Sequence, residues 1–191
     1  NAQEKPAGKH GFVRAEKDRL VFEDGTVARF WGTNVVAGGL FGSNRRQDTQ
    51  AQAKRISQLG FNLVRIHHHD SAWVRPNIFG NGSEPDTKTL NKDMLSRLDW
   101  WIKCLKDEGI YIWLDLEVDR EFKPGDGIDG FDELFRDKSR DGLKGFSYVN
   151  PSIQQAMQRF NEAYLNHVNP FTGLAYKDDP AIVAVLITNQ N

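Results

Sequence analysis

Apolar positions along the chain fall into two rhythms: short apolar or alternating runs, and longer segments with an apolar residue every three or four positions. Phe12-Val13-Arg14, Leu20-Val21-Phe22 and Val27-Ala28-Arg29-Phe30-Trp31 predict short strands, the third running on to Asn34. Asp24-Gly25 predicts a hairpin turn between the second and third, and Gly38-Gly39 with Gly42 a flexible loop. A helix is expected over 48–59, with Ala51, Ile56 and Leu59 as its apolar positions and Gly60 as its stop. Phe61 to His67 predicts a strand with Leu63, Arg65 and His67 on one face and Val64 and Ile66 on the other. A long loop over 68–89 leads to the clearest helix, where Asn91 is the N-cap and Met94, Leu95, Leu98, Trp101, Ile102 and Leu105 recur at helical spacing as far as Gly109. Tyr111 to Glu117 is another core strand, followed by a long loop over 118–149. Asn150-Pro151 starts a helix running to about residue 167, with Ile153, Met157, Phe160 and Leu165 on its buried side. The run Ile182 to Thr188 reads as a strand buried on both faces, and it ends in Asn189-Gln190-Asn191.

The order is hairpin, then strand and helix in alternation, which is an α/β pattern with a parallel sheet. No Gly-rich phosphate fingerprint follows the first core strand, where the loop reads Asn34-Val35-Val36-Ala37-Gly38-Gly39. The core strands end in polar or aromatic residues: Asn34, His67-His68-His69-Asp70, Asp115 with Glu117, and Asn189-Gln190. A barrel gathers such ends at one mouth, whereas an open sheet divides them. The expected architecture is therefore the amino-terminal half of a (β/α)8 TIM barrel preceded by a β-hairpin that plugs its bottom. Residues 1–10 are expected to be a disordered or added tail. Residues 11–191 are expected to be the first half of a single barrel domain that stops after its fourth strand, since a buried parallel strand is a poor edge for a finished domain.

Composition narrows the chemistry. The 191 residues carry a net charge of −1, which gives no electrostatic case for nucleic acid or an anionic membrane surface. No apolar run approaches the about 18 residues that a membrane span needs. Cys104 is the one cysteine, so neither an internal disulfide nor a cysteine-based zinc site is available. Five Trp residues suit clefts in which apolar sugar faces stack on rings.

Arg65 inside a strand is costly unless it meets a carboxylate or a wet cavity. Asp115 and Glu117 share a face at a strand end, as an acid and base would, or as partners of Arg65 or Arg120. His67 and His69 lie two apart on a strand, so both could face one metal ion with Asp70 nearby. Alternatively His67, His68, His69 and Asp70 contact a ligand, a reading favoured over metal, or simply pack or face solvent. Trp73, in the loop after a strand end, is the best stacking candidate, whereas Trp31 and Trp113 read as core. Phe131, Phe135, Phe146 and Tyr148 either wall a cleft or pack the long loop down.

Arg29-Phe30-Trp31-Gly32-Thr33-Asn34, the stretch from Leu59 to Asp70, the stretch from Leu105 to Leu116, and the stretches from Asn166 to Pro170 and from Asp179 to Asn191 carry a resemblance. In that order they are similar to the first four strands of the cellulase-like glycoside hydrolases of family 5 and the wider clan A of retaining β-glycosidases. The resemblance implies a carbohydrate substrate, no cofactor, no nucleic-acid or membrane partner, and an extracellular or periplasmic setting. The rest of the barrel would be supplied by a longer chain or a second fragment. The resemblance implies that Asn189, Arg65, His67, His68, His69, Trp73, Asp115 and Glu117 line the substrate cleft, with Asn189 on a sugar 2-hydroxyl. Such families end the fourth strand in Asn-Glu, the Glu being the general acid/base, and keep a nucleophilic Glu at the end of the seventh, beyond Asn191. This chain has Gln190 at the acid/base position. A retaining mechanism needs two carboxyl groups about 5 Å apart, and an amide cannot protonate a leaving oxygen. Three readings stay open: a retaining β-glycosidase disabled or altered at Gln190, a carbohydrate-binding pseudoenzyme, and a metal-dependent barrel hydrolase built on His67 and His69.

Overall fold

The structure, a computed structural model, describes residues 4–135 and 145–189. It opens with an antiparallel hairpin, β1 (Val13–Glu16) and β2 (Arg19–Phe22). The parallel sheet follows as β3 (Gly32–Val36), β4 (Leu63–His67), β5 (Tyr111–Glu117) and β6 (Ile182–Thr188), in that spatial order. The crossovers carry α1 (Ala37–Phe41) and α2 (Arg46–Gln58), then α3 (Lys92–Asp107), then α4 (Phe131–Leu134) and α5 (Pro151–Leu165). Consecutive parallel strands with a helix in each crossover make the amino-terminal half of a (β/α)8 barrel.

The helices start where the sequence places their caps. Asn91 Oδ1 accepts hydrogen bonds from the amides of Asp93 (3.1 Å) and Met94 (3.2 Å), satisfying donors that the first turn leaves free. Asn150 does the same for Ser152 and Ile153, with Pro151 at the first helical position. Met94, Leu98, Trp101, Ile102 and Leu105 of α3 are buried, against the helix-facing side of the sheet at Val64, Ile66, Ile112 and Leu114. Removing a side chain as large as Trp101 from such a core costs about 3–5 kcal/mol.

The β1–β2 hairpin has its own turn at Lys17-Asp18, with Lys17 at φ 56°. Asp24-Gly25 still reverses the chain, with Asp24 Oδ1 accepting the Thr26 amide at 2.9 Å, but the limb beyond makes one bridge, Val21 to Val27. Phe22 and Phe30 meet the Tyr111 ring at 5.2 and 5.4 Å, so the hairpin covers the amino end of β5. Residues 4–10 depart from the expected tail. Ala7 is buried, and its amide donates to Lys106 O at 2.8 Å. The Gly38-Gly39 segment is helical as α1 rather than a flexible loop. On α2 the buried positions are Thr49 and Ala53, while Ala51 and Leu59 face out. On α5 they are Ile153, Ala156, Phe160 and Tyr164, with Met157 and Leu165 only half-buried.

β6 is not covered on both faces among the described residues. Among the described residues it pairs only with β5, and Val185 and Ile187 are 43% and 63% exposed on the side away from the barrel interior. An apolar run reports a strand's composition; its coverage depends on neighbours, and β6 has them on one side. Trp31 is also exposed, in a parallel stack with Phe61, rather than in the core.

Candidate functional site

The site lies on the concave face of the sheet, at the carboxyl ends of the strands. Register sets Asn34 of β3, Arg65 of β4 and Trp113 of β5 side by side, and Leu186 of β6 beside Asp115. Alternation puts Arg65, His67 and Asp115 on this face, and Asn189, just past β6, joins them through a hydrogen bond from Arg65.

Asp115 is the hub. Arg65 Nε lies 3.0 and 2.9 Å from its two carboxylate oxygens, and Arg65 Nη2 lies 2.8 Å from Oδ2. His67 Nδ1 shares Oδ2 at 2.5 Å. Arg65 Nη2 also donates to Asn189 Oδ1 at 2.9 Å, and the Asn189 amide donates to Glu117 O at 3.0 Å, which fixes the residue just past β6. The Asp115 side chain is fully buried, whereas Arg65 keeps 24% of its side chain exposed. A carboxylate taken out of water needs such a cation and such hydrogen bonds. Asp115 therefore reaches solvent only through Arg65 and His67, and it is not itself a surface for ligand contact.

The rim is formed by His68 and Trp73. His68 turns the chain with φ 51°, shares a hydrogen bond with Ser71 Oγ at 2.7 Å, and sets its ring 4.1 Å from His67. Trp73 is 48% exposed and meets His68 edge-on at 5.0 Å. Trp113, expected in the core, lies instead on the concave face with its ring 5.9 Å from the Arg65 guanidinium. The signal was available: Trp113 is two residues from Asp115 on one strand.

Two expected cleft residues are elsewhere. His69 is fully buried and stacks on Tyr164 at 5.3 Å. Burial pushes its imidazole down to about 4, so it is neutral at physiological pH. The left-handed turn at His68 breaks the strand alternation, and His69 consequently falls on the helix side. His67 and His69 therefore do not face one ion, and among the described residues no three His, Cys, Asp or Glu side chains are grouped to hold a metal.

Glu117 turns away from Arg65 to Arg120, whose Nη1 lies 3.1 Å from its Oε1. Arg120 also donates to Thr87 Oγ1, Thr87 O and Ala156 O, and sits over the rings of Phe79, Phe122 and Phe160. Burial pushes the Glu117 carboxyl up to about 7 against the opposing pull of Arg120.

Asp70 ties the loops together: its carboxylate accepts from the amides of Val118 at 2.7 Å and Asp119 at 3.2 Å, and burial raises its pKa. Phe131 stacks on Phe135 at 4.3 Å, in a second small core with Phe122 and Ile153. Tyr148 lines an outer groove against α5 and Ile187 rather than the concave face. Gln190, at the acid/base position by resemblance, lies outside the described residues.

No protein-family model matches the chain. It is 31% identical over 186 residues to a rice (Oryza sativa subsp. japonica) protein assigned as mannan endo-1,4-β-mannosidase 9, covering 87% of this chain and 43% of that protein. It is 26% identical over 185 residues to rice mannan endo-1,4-β-mannosidase 3, covering 93% and 37%. The structure superposes on the endo-1,4-β-mannanase of Rhizomucor miehei with a TM-score of 0.67 at 19% identity, covering 95% of this chain and 49% of that one. A family 5 mannosidase from the same organism gives 0.69 at 18% identity and the same coverage. The chain resembles the glycoside hydrolases of family 5. It spans less than half the length of these relatives, and the solved structures establish the fold as that of their barrel.

Proposed function

We propose that this chain supplies the amino-terminal half of the substrate cleft of a retaining β-glycosidase acting on β-1,4-linked mannan. The observation that carries the reading is the Asp115–Arg65–Asn189 chain of hydrogen bonds at the carboxyl end of the sheet. The likeness to proteins named as mannan endo-1,4-β-mannosidases supports the choice of polymer. In this reading Asn189 meets a sugar 2-hydroxyl, a contact that strengthens in the transition state. Arg65 keeps Asn189 oriented and holds positive charge beside the reacting carbons, where a carboxylate stays ionised. Trp73 and His68 carry a sugar ring at the rim. Carbohydrate and the remainder of the barrel are the partners, and a polymeric substrate places the protein outside the cytoplasm.

Gln190 follows Asn189 directly and takes the place of the proton donor. An amide can hydrogen-bond the glycosidic oxygen but cannot transfer a proton to it, so the chain with Gln190 binds glycan and turns it over weakly or not at all. Restoring Gln190→Glu in the full-length protein is expected to raise mannan hydrolysis by about two to four orders of magnitude, the usual worth of a general acid. An unchanged rate with mannan still bound would contradict the glycosidase reading. Gln190 also favours a second reading, a carbohydrate-binding protein without turnover; it takes over if the native gene encodes Gln190 and the Glu variant stays inert.

A further inference from the structure

A groove of about 270 Å³ runs between the first turns of α2 and α3. Both helices begin after strand carboxyl ends, so the groove opens on the shoulder of the half-barrel that also carries the site. Its walls belong to two complete strand–helix units, away from the open edge at β6.

Arg46 and Arg97 line it with Trp100, Ser96 and Asp93. The Arg46 guanidinium lies 5.2 Å from the centre of the Trp100 ring and 4.8 Å from that of Phe171, and the Trp100 indole N–H donates to Arg46 O at 3.0 Å. Stacking occupies the faces of a guanidinium and leaves its in-plane N–H edges free to donate. Arg97 is half-buried, with Nη1 anchored on Phe41 O at 2.5 Å. Arg14, Arg45, Arg65, Arg75 and Arg120 each reach a carboxylate. Among the described residues Arg46 and Arg97 form no ion pair, so two guanidiniums share one cavity with no carboxylate bound to either. Asp48 is already engaged by Arg45 and Ser43, which leaves Asp93 as the opposing charge on the wall.

We propose that this groove is an anion-binding site, taking the carboxylate or phosphate oxyanion of a ligand of about monosaccharide size. Planar forked donors match both oxyanions, and the volume falls just under the range of about 300–1,000 Å³ occupied by drug-sized ligands.

The test is a titration of the full-length protein, at low salt, with glucuronate, inorganic phosphate and neutral glucose, followed by calorimetry and by chemical shifts. Saturable binding of glucuronate or phosphate, and not of glucose, is expected, and the tighter anion identifies the source. Arg46→Gln and Arg97→Gln are each expected to weaken it by about tenfold or more. Ser96→Trp, which fills the groove and keeps both arginines, is expected to block it, and Asp93→Asn to tighten it. A folded parent that binds neither anion, glucose binding as tightly as the anions, or affinity unmoved in both arginine variants would overturn the proposal. Because the variants lie in this groove and not on the concave face, the proposal stands or falls separately from the mannan reading.

Discussion

Two arginine–carboxylate pairs hang from the same strand, two residues apart, and they do opposite things. Arg65–Asp115 lies on the concave face with part of the guanidinium open to solvent, and its spare N–H passes to Asn189. Arg120–Glu117 is walled by three aromatic rings and closed by carbonyl acceptors, with side chains only 3% and 9% exposed. The first pair keeps a donor on the open concave face; the second fastens the loops after β4 and β5 to α5. An ion pair in a strand pattern is therefore not yet a site; what separates the two is whether the cation has a donor left over and water to face.

Two pairs with such different surroundings are expected to answer differently to mutation. Arg120→Met removes the cation from a buried carboxyl and is expected to cost about 3–5 kcal/mol of stability, read as a fall in denaturant midpoint, with mannan affinity of the folded protein unchanged. The next effect is in pH. The Glu117 carboxyl titrates at about 7 when folded against an ordinary 4.5, so the folded state holds its proton more tightly than the unfolded state. Its contribution is fully present below 4.5 and is lost as pH rises from there through about 7, a fall of about 3 kcal/mol. Glu117→Gln should flatten that part of the stability–pH curve; a parent curve that rises over the same interval would be contrary evidence. Asn189→Ala should leave stability within about 1 kcal/mol and weaken mannan binding about tenfold, since it removes one charge-assisted hydrogen bond and a sugar contact. Smallest is Trp73→Ala, expected within about 0.5 kcal/mol in stability, with a few-fold loss in affinity that calorimetry resolves.

Much of this was legible in the sequence because the signals were local. Asn91 and Asn150 before periodic apolar runs marked two helices, and alternation in β4 put Arg65 and His67 on one face and Val64 and Ile66 on the other. Arg65 as a strand arginine in need of a carboxylate led to Asp115. The misses were non-local or conformational. A single left-handed residue, His68, sends His69 into the helix layer, and no periodicity rule sees one φ angle. Glu117 left its face because Arg120 was fixed by Thr87 and Ala156, residues remote in sequence. Apolar content at Trp31, Val185 and Ile187 suggested burial that the described neighbours do not supply.

The measurement that bears most directly on the account is mannohexaose affinity, by calorimetry on the full-length protein, for Arg65→Lys and Arg120→Lys side by side with their melting temperatures. Lysine keeps each charge and loses each fork. Arg65→Lys is expected to lose about tenfold or more in affinity and to melt earlier, because buried Asp115 loses its forked partner, whereas Arg120→Lys is expected to melt earlier with its affinity kept. Equal losses of affinity in both variants, or parent-like binding by Arg65→Lys, would contradict the account.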